Sequence, residues 1–232
     1  YAGESAAVLY QDGGDLHVQS LLEAVVAGPD QVWFFSTRGN SLEMREERLS
    51  LCRNVLLSEA RNKLKPSGLM VALDSDCGMP TIDAFMRAAS LLAAPARSRS
   101  YDVVTAGPQG RKYRDIWALR STVLNVNYDC VLDTSMDSMA RRSDCSDLNQ
   151  VVYRRLLALP KPPLVDSAFN GLALYSADIM GGNASTCKFS AISHRAGQPT
   201  CEHVAFHLCL RQTVNARITI LQVDLTTDCY VR

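Results

Sequence analysis

Leu69-Met70-Val71-Ala72-Leu73, with the acidic triplet Asp74-Ser75-Asp76 directly behind it, decides how this chain is read. Five consecutive apolar residues after the Pro66-Ser67-Gly68 break predict a short strand covered on both faces. In open α/β sheets ligands bind beyond the carboxyl ends of the strands, which is where Asp74 and Asp76 fall. Two carboxylates placed there repel each other unless hydrogen bonds or a cation offset the charge. Mn²⁺ or Mg²⁺ suits such a pair, because both favour carboxylate and phosphate oxygens, and Mg²⁺ is commonly held by one or two carboxylates plus phosphates. A metal shared with a diphosphate would act as a Lewis acid toward a departing nucleoside diphosphate. The alternative is a solvated acidic turn, since D-x-D on its own is a weak signal.

Outward from this point, strand-like and helix-like stretches alternate. Gln31–Phe35 is a β-branched and aromatic run that ends in the polar loop Ser36–Ser41. Arg45–Asn62 places Leu49, Cys52, Leu56 and Ala60 at helical spacing. Thr81 is placed to cap a helix whose apolar face is Ile82, Phe85, Met86, Ala89 and Leu92. Tyr101–Thr105 is a further strand. Tyr113–Leu119 alternates, with Tyr113, Asp115, Trp117 and Leu119 on one side. Asp129–Ser146, rich in Asp, Ser, Arg and Met, reads as an exposed loop. Asp147–Leu159 reads as a helix stopped by Pro160, Pro162 and Pro163. Leu172–Tyr175 after Gly171 is a strand, Glu202–Arg211 a helix and Arg217–Val223 a last strand. The pattern predicts an α/β fold with a mixed, mostly parallel central sheet flanked by helices. No repeat or linker interrupts it, so residues 1–232 are expected to form one domain, a fragment incomplete at its termini because it opens at Tyr1.

Composition narrows the function. Apolar residues make up 47% and charged residues 21%, a globular balance. Lys+Arg and Asp+Glu are both 24, so there is no electrostatic case for a nucleic-acid partner or a polybasic membrane surface. No apolar run approaches the roughly 18 residues of a membrane span, so no transmembrane segment is expected in this chain. The eight cysteines include no C-x-x-C pair, which argues against a structural zinc site. Their even number and the glycosylation triplet Asn183-Ala184-Ser185 favour a Golgi or other secretory lumen, with a cytoplasmic chain of buried thiols as the alternative.

Several further segments matter together. Arg53-Asn54 precedes the acidic triplet. After it come Tyr113-Arg114-Asp115-Ile116-Trp117-Ala118-Leu119-Arg120, Ser167-Ala168-Phe169-Asn170-Gly171-Leu172 and Cys201-Glu202-His203-Val204-Ala205-Phe206-His207. In this order they resemble the metal-dependent glycosyltransferases of the GT-A fold, in a subgroup with R-N, D-x-D, Y-x-D-x-W-A-L-R, S-A-F-x-G-L and C-E-H-V-x-F-H motifs. The resemblance runs from about Arg45 to Arg211. It implies a Rossmann-like nucleotide-sugar-binding half followed by an acceptor-binding half. The implied activity is of the hexosyltransferase type, moving a sugar from a UDP- or GDP-sugar to a hydroxyl of a glycan, glycoprotein or glycolipid acceptor. The cofactor would be Mn²⁺ or Mg²⁺.

Roles follow residue by residue from the resemblance. Asp74 and Asp76 occupy the D-x-D positions as metal ligands, Asp76 foremost. Arg53 or Asn54 would sit near the donor, where a guanidinium can pair with phosphate. Trp117 could form a sugar-stacking surface, though an aromatic on an alternating strand also suits a core. Gly171 would let the backbone approach the donor sugar, or mark a bulge. Transfer with inversion needs a carboxylate to take the acceptor proton. Glu202 ranks first for it, ahead of Asp166 and Asp115, and His203 stands where related enzymes often carry the acidic base. His203 and His207, four apart on one helix, could share a metal. The Ser36–Ser41 loop has no Asp or Glu, where related enzymes place an acid against the base or ribose. Two other readings stand beside this one. One is a sugar nucleotidyltransferase, although the early segment Asp12-Gly13-Gly14-Asp15 is acidic where that class carries a basic, glycine-rich loop. The other is a catalytically degenerate transferase-like domain that only binds.

Overall fold

A computed structural model describes residues 6–12, 31–37, 45–65, 67–74, 80–108, 113, 115–126, 138–192 and 200–221, with backbone alone at 6–12, 31–37, 45–46 and 138–146. The chain falls into two compact units, Tyr1–Leu64 and Lys65–Arg232. In the first, strand β1 (Ala6–Asp12) pairs in parallel with β2 (Gln31–Thr37), and helix α1 (Arg45–Lys63) runs alongside β1. Strand β1 was not singled out from the sequence. Arg61 and Lys63 close the last turn of α1, where cations complement the carbonyl end of the helix dipole.

The second unit holds a five-stranded sheet in the order β3-β6-β4-β7-β5, formed by β3 (Leu69–Leu73), β4 (Val103–Thr105), β5 (Leu164–Val165), β6 (Leu172–Ser176) and β7 (Ile218–Ile220). It is an α/β arrangement with a mixed sheet, but the expectation of mostly parallel pairing is corrected. Only β4 and β7 pair in parallel; β3–β6, β6–β4 and β7–β5 are antiparallel. Helix α2 (Ile82–Ala93) carries the chain from the end of β3 back to the start of β4. The connection from β4 to β5, which includes helix α3 (Ser138–Ala158), makes no such net crossing. The chain leaves β4 and enters β5 at the same end of the sheet, so β5 and β6 run against the other three.

Strands β4, β6 and β7 are buried at every position. Strand β3 is not, contrary to its all-apolar sequence. It forms an edge of the five-stranded sheet, is half-buried, and leaves Val71 41% exposed. Thr81 caps α2 as expected, its Oγ1 accepting the Ala84 N–H at 3.3 Å. The buried stripe of α2, however, is Ala84, Ala88 and Leu92, with Phe85 and Ala89 half-buried against Val104, Leu172 and Leu174. Ile82 and Met86, placed on the core face from the sequence, are 80% and 51% exposed. The alanines let the helix lie close to the sheet and turn those larger side chains outward.

Two further expectations are corrected. Tyr113–Leu119 is not a strand: the Ala118 and Leu119 N–H groups donate to the carbonyls of Asp115 and Ile116 at 3.2 Å, closing consecutive tight turns. The Asp115 side chain favours this geometry by accepting the Ala118 N–H at 3.3 Å. The segment read as a loop to Ser146 is helical from Ser138 onward. Helix α4 (Glu202–Val214) ends on Asn215 in the left-handed conformation, its N–H donating to Leu210 O. Cys209 of α4 is joined by a disulfide to Cys187. At the end of the sheet where β4 and β7 begin, Asp102 accepts from both Arg99 (2.7 Å) and Arg217 (2.9 Å), and Arg99 also reaches Asp178 (2.8 Å). These guanidinium groups hold the Asp102 carboxyl below its ordinary range against the opposing effect of burial. Among the described residues no helix is long and apolar enough to cross a membrane.

Candidate functional site

The opposite end of the sheet, where β3, β4 and β7 finish and β6 begins, gathers the chemistry-bearing residues. Leu73 faces Leu172 in the antiparallel ladder. The pairing extends one step further, with the Asp74 N–H donating to the Gly171 carbonyl at 3.0 Å. Asp74 is therefore fixed by its backbone to the turn that opens β6. That turn places two successive residues at positive φ, Asn170 at 55° and Gly171 at 87°. Glycine adopts this conformation without a Cβ penalty, and asparagine tolerates it better than most residues.

Asn170 is buried and ties three segments together. Its Oδ1 accepts the Asp115 N–H at 3.1 Å, its own N–H donates to Asp115 Oδ2 at 3.3 Å, and its Nδ2 donates to the Gly107 carbonyl just after β4. Asp115 is thus held by the backbone N–H groups of Ala118 and Asn170, one on each carboxylate oxygen.

The first turn of α4 supplies the third element. Glu202, 3% exposed, opens the helix, where a carboxylate is favoured by the dipole. The Cys201 thiol donates to its Oε2 at 3.7 Å, and His203 Nε2 lies 3.8 Å from its Oε1. The His203 ring stacks on Phe169 with centroids 3.6 Å apart and meets the edge of Phe189 at 5.2 Å. Phe169 precedes Asn170, so the stack couples the start of α4 to the turn that holds Asp74 and Asp115.

Electrostatics shows that the three carboxylates share one field. The Asp115 carboxyl is pushed up to about 6, first by burial and then by the negative charges of Asp74 and Glu202. Tyr113, fully buried, has its phenol pushed well up, by burial first and then by the charge of Asp115. Acids from three distant parts of the chain therefore lie near enough, beyond the carboxyl ends of β3 and β4, for Asp74 and Glu202 to act on Asp115. Such a site can attract a cation, or hold and release a proton. Among the described residues no three His, Cys, Asp or Glu side chains lie close enough to ligate one ion together.

Of the residues picked from the sequence, this end of the sheet unites Asp74, Asp115, Gly171, Glu202 and His203. Trp117 lies in the Asp115 turn, half-buried, its indole N–H without a hydrogen-bond partner among the described residues. Asp166 is placed differently: its carboxylate pairs with Arg211 at 3.1 Å. His207 has both ring nitrogens engaged, Nδ1 with Ser167 Oγ at 3.1 Å and Nε2 with the Tyr175 hydroxyl at 2.9 Å. Its pKa is lowered to about 3 by burial. In this arrangement it is a neutral core histidine with no nitrogen open to an ion. Arg53 and Asn54 lie on α1 of the first unit. Asp76, residues 38–41 of the loop after β2, and Arg114 lie outside the described residues. The sequence reading gave no role to Asn170 or Tyr113. The Asn-Gly pair before an apolar run was a visible turn signal for the first, whereas the burial of Tyr113 has no local signature. The chain matches no protein-family model and no curated protein.

Proposed function

We propose that this chain is a GT-A-type, metal-dependent glycosyltransferase that moves a sugar from a UDP- or GDP-sugar to an acceptor hydroxyl. The observation that carries the reading is the convergence of Asp74, Asp115 and Glu202 beyond the carboxyl ends of β3 and β4. Burial first, and then the charges of Asp74 and Glu202, raise the Asp115 carboxyl, and a divalent cation bound beside it would offset that second contribution. Asp74, with Asp76 two residues on, would hold Mn²⁺ or Mg²⁺ together with donor phosphate oxygens. When bound, the ion supplies Lewis-acid stabilisation of the diphosphate leaving group.

The chain's own groups do the rest. Glu202 takes the proton from the acceptor hydroxyl, and its burial at a helix start excludes competing water. His203, clamped by Phe169 and Phe189, positions Glu202. Asp115, fixed by two backbone N–H groups, accepts from donor-sugar hydroxyls. The Trp117 indole N–H offers a donor to a sugar oxygen. Titration calorimetry with UDP and with GDP, each with and without Mn²⁺, tests the reading. Metal-dependent binding of one nucleotide, lost in Asp74→Asn and Asp76→Asn, is the expected result. Binding of neither nucleotide would point to a binding-only domain. Pyrophosphate release from a nucleoside triphosphate and a sugar phosphate would point to a nucleotidyltransferase.

A further inference from the structure

The segment between β6 and α4 carries a motif that the transferase reading does not use. Asn183-Ala184-Ser185 is the one N-x-S/T triplet in the sequence. It forms the middle of a short 3-10 helix, Gly182–Thr186. Ala184 is buried and anchors the turn, while Asn183 and Ser185 are exposed. The Asn183 carbonyl accepts from Thr186 Oγ1 at 3.2 Å, and its side-chain amide makes no hydrogen bond among the described residues. Gly181 and Gly182 beside it are exposed, and even an added Cβ on either would meet nothing within 4 Å. A bulky group on Asn183 Nδ2 would therefore stand in open solvent without displacing a protein contact.

A second, independent feature lies one residue beyond the turn. Cys187 is bonded to Cys209 of α4. Disulfides of this structural kind persist in oxidising compartments and are rare where glutathione and thioredoxin keep thiols reduced. The compartment that keeps this bond is also the one in which such triplets are modified. We propose that Asn183 carries an N-linked oligosaccharide. The donor class is an oligosaccharide borne on a lipid diphosphate. Asn183 Nδ2 forms a bond to the anomeric carbon while that carbon's bond to the diphosphate oxygen breaks. The lipid diphosphate leaves with the electron pair, and the amide loses one proton to a base of the transferring enzyme. The inference does not depend on what the carboxylate site does.

The test uses full-length protein purified from the cells that make it, digested without reduction and read by mass spectrometry. The expected result is a glycan on the Asn183 peptide, released by a peptide-N-glycosidase that leaves Asp in its place, in molecules whose Cys187–Cys209 bond is intact. Expressed in the same cells, Asn183→Gln and Ser185→Ala lose the glycan and Ser185→Thr keeps it. A bare Asn183 in molecules with the disulfide formed overturns the proposal. A bare Asn183 with Cys187 and Cys209 as free thiols overturns it as well.

Discussion

Replacing Asp74 by Asn should release part of the proton held by Asp115. Asp115 titrates at about 6 in place of 3.8, a difference of about 2 pH units, or about 3 kcal/mol of preference for the protonated form. Burial is the largest cause and survives the substitution; the charges of Asp74 and Glu202 supply the remainder. Asp74→Asn removes one of these charges while keeping side-chain size, so the Asp115 midpoint should fall by about half a unit to one unit, about 1 kcal/mol. The sign for stability follows from linkage. A carboxyl whose folded pKa is raised holds its proton more tightly when folded, so the stability it lends is present at low pH and is lost between 3.8 and about 6. The substitution should therefore stabilise the chain by about 1 kcal/mol above about pH 6, and by much less below the unfolded value. Carboxyl-carbon NMR of Asp-labelled protein follows the midpoint directly, and urea unfolding at several pH values follows the energy. An unmoved Asp115 midpoint in a folded Asp74→Asn protein would refute the shared field on which the candidate site rests.

Three further outcomes are expected. Glu202→Gln should leave metal-dependent nucleotide binding intact and cut transfer by about 10²-fold or more, the scale of a lost general base; unchanged turnover in a donor-consumption assay would remove Glu202 from that role. His207 is neutral in the fold and protonates at about 3, against 6.5 for an ordinary histidine, so its contribution is complete above about 6.5 and is lost as pH falls toward 3. Unfolding free energies should drop in that window at up to about 1.4 kcal/mol per unit, and a His207→Gln protein that keeps the same slope would assign the drop to other groups. Removing the Cys187–Cys209 bond by Cys187→Ala with Cys209→Ala should lower stability by about 3 kcal/mol, from loop closure over a separation of 22 residues, read as a shift in the denaturant midpoint. An equal midpoint for the oxidised protein and the double variant would show that the bond constrains nothing.

Much of the architecture was legible because it is local. Thr81 announced the start of α2, Pro160 the stop of α3, and the apolar runs Leu69–Leu73 and Leu172–Tyr175 their strands. Strand direction was not legible, since helix content between strands does not say whether the chain returns to the same end of the sheet. Tyr113–Leu119 had the period of a strand, yet Asp115 can bond its own backbone three residues on, and that local option prevailed. Ile82 and Met86 had helical spacing, but the smaller Ala84 and Ala88 permit closer approach to the sheet. At the site, Asp74, Asp115 and Glu202 could be named from motifs. Their convergence depends on Asn170, whose bonds span from Gly107 to Asp115. His203 and His207 looked equivalent in sequence. Partners 32 to 40 residues away in chain and ring stacking at Phe169 set them apart, since Ser167 and Tyr175 occupy one and Phe169 covers the other.

The Asn170-Gly171 turn has a chemical history built into it. A glycine that follows asparagine leaves the next peptide nitrogen unshielded, so in a loose chain it can attack the side-chain carbonyl and cyclise to a succinimide, which water opens to aspartate or isoaspartate. In the fold that route is closed, because the Asn170 amide is pinned between Gly107 and the backbone of Asp115. Each excursion out of the folded state opens it again. Damage from ageing would then arrive as an extra negative charge at the spot where carboxylates already crowd, turning a spent molecule into one that can no longer close this end of its sheet.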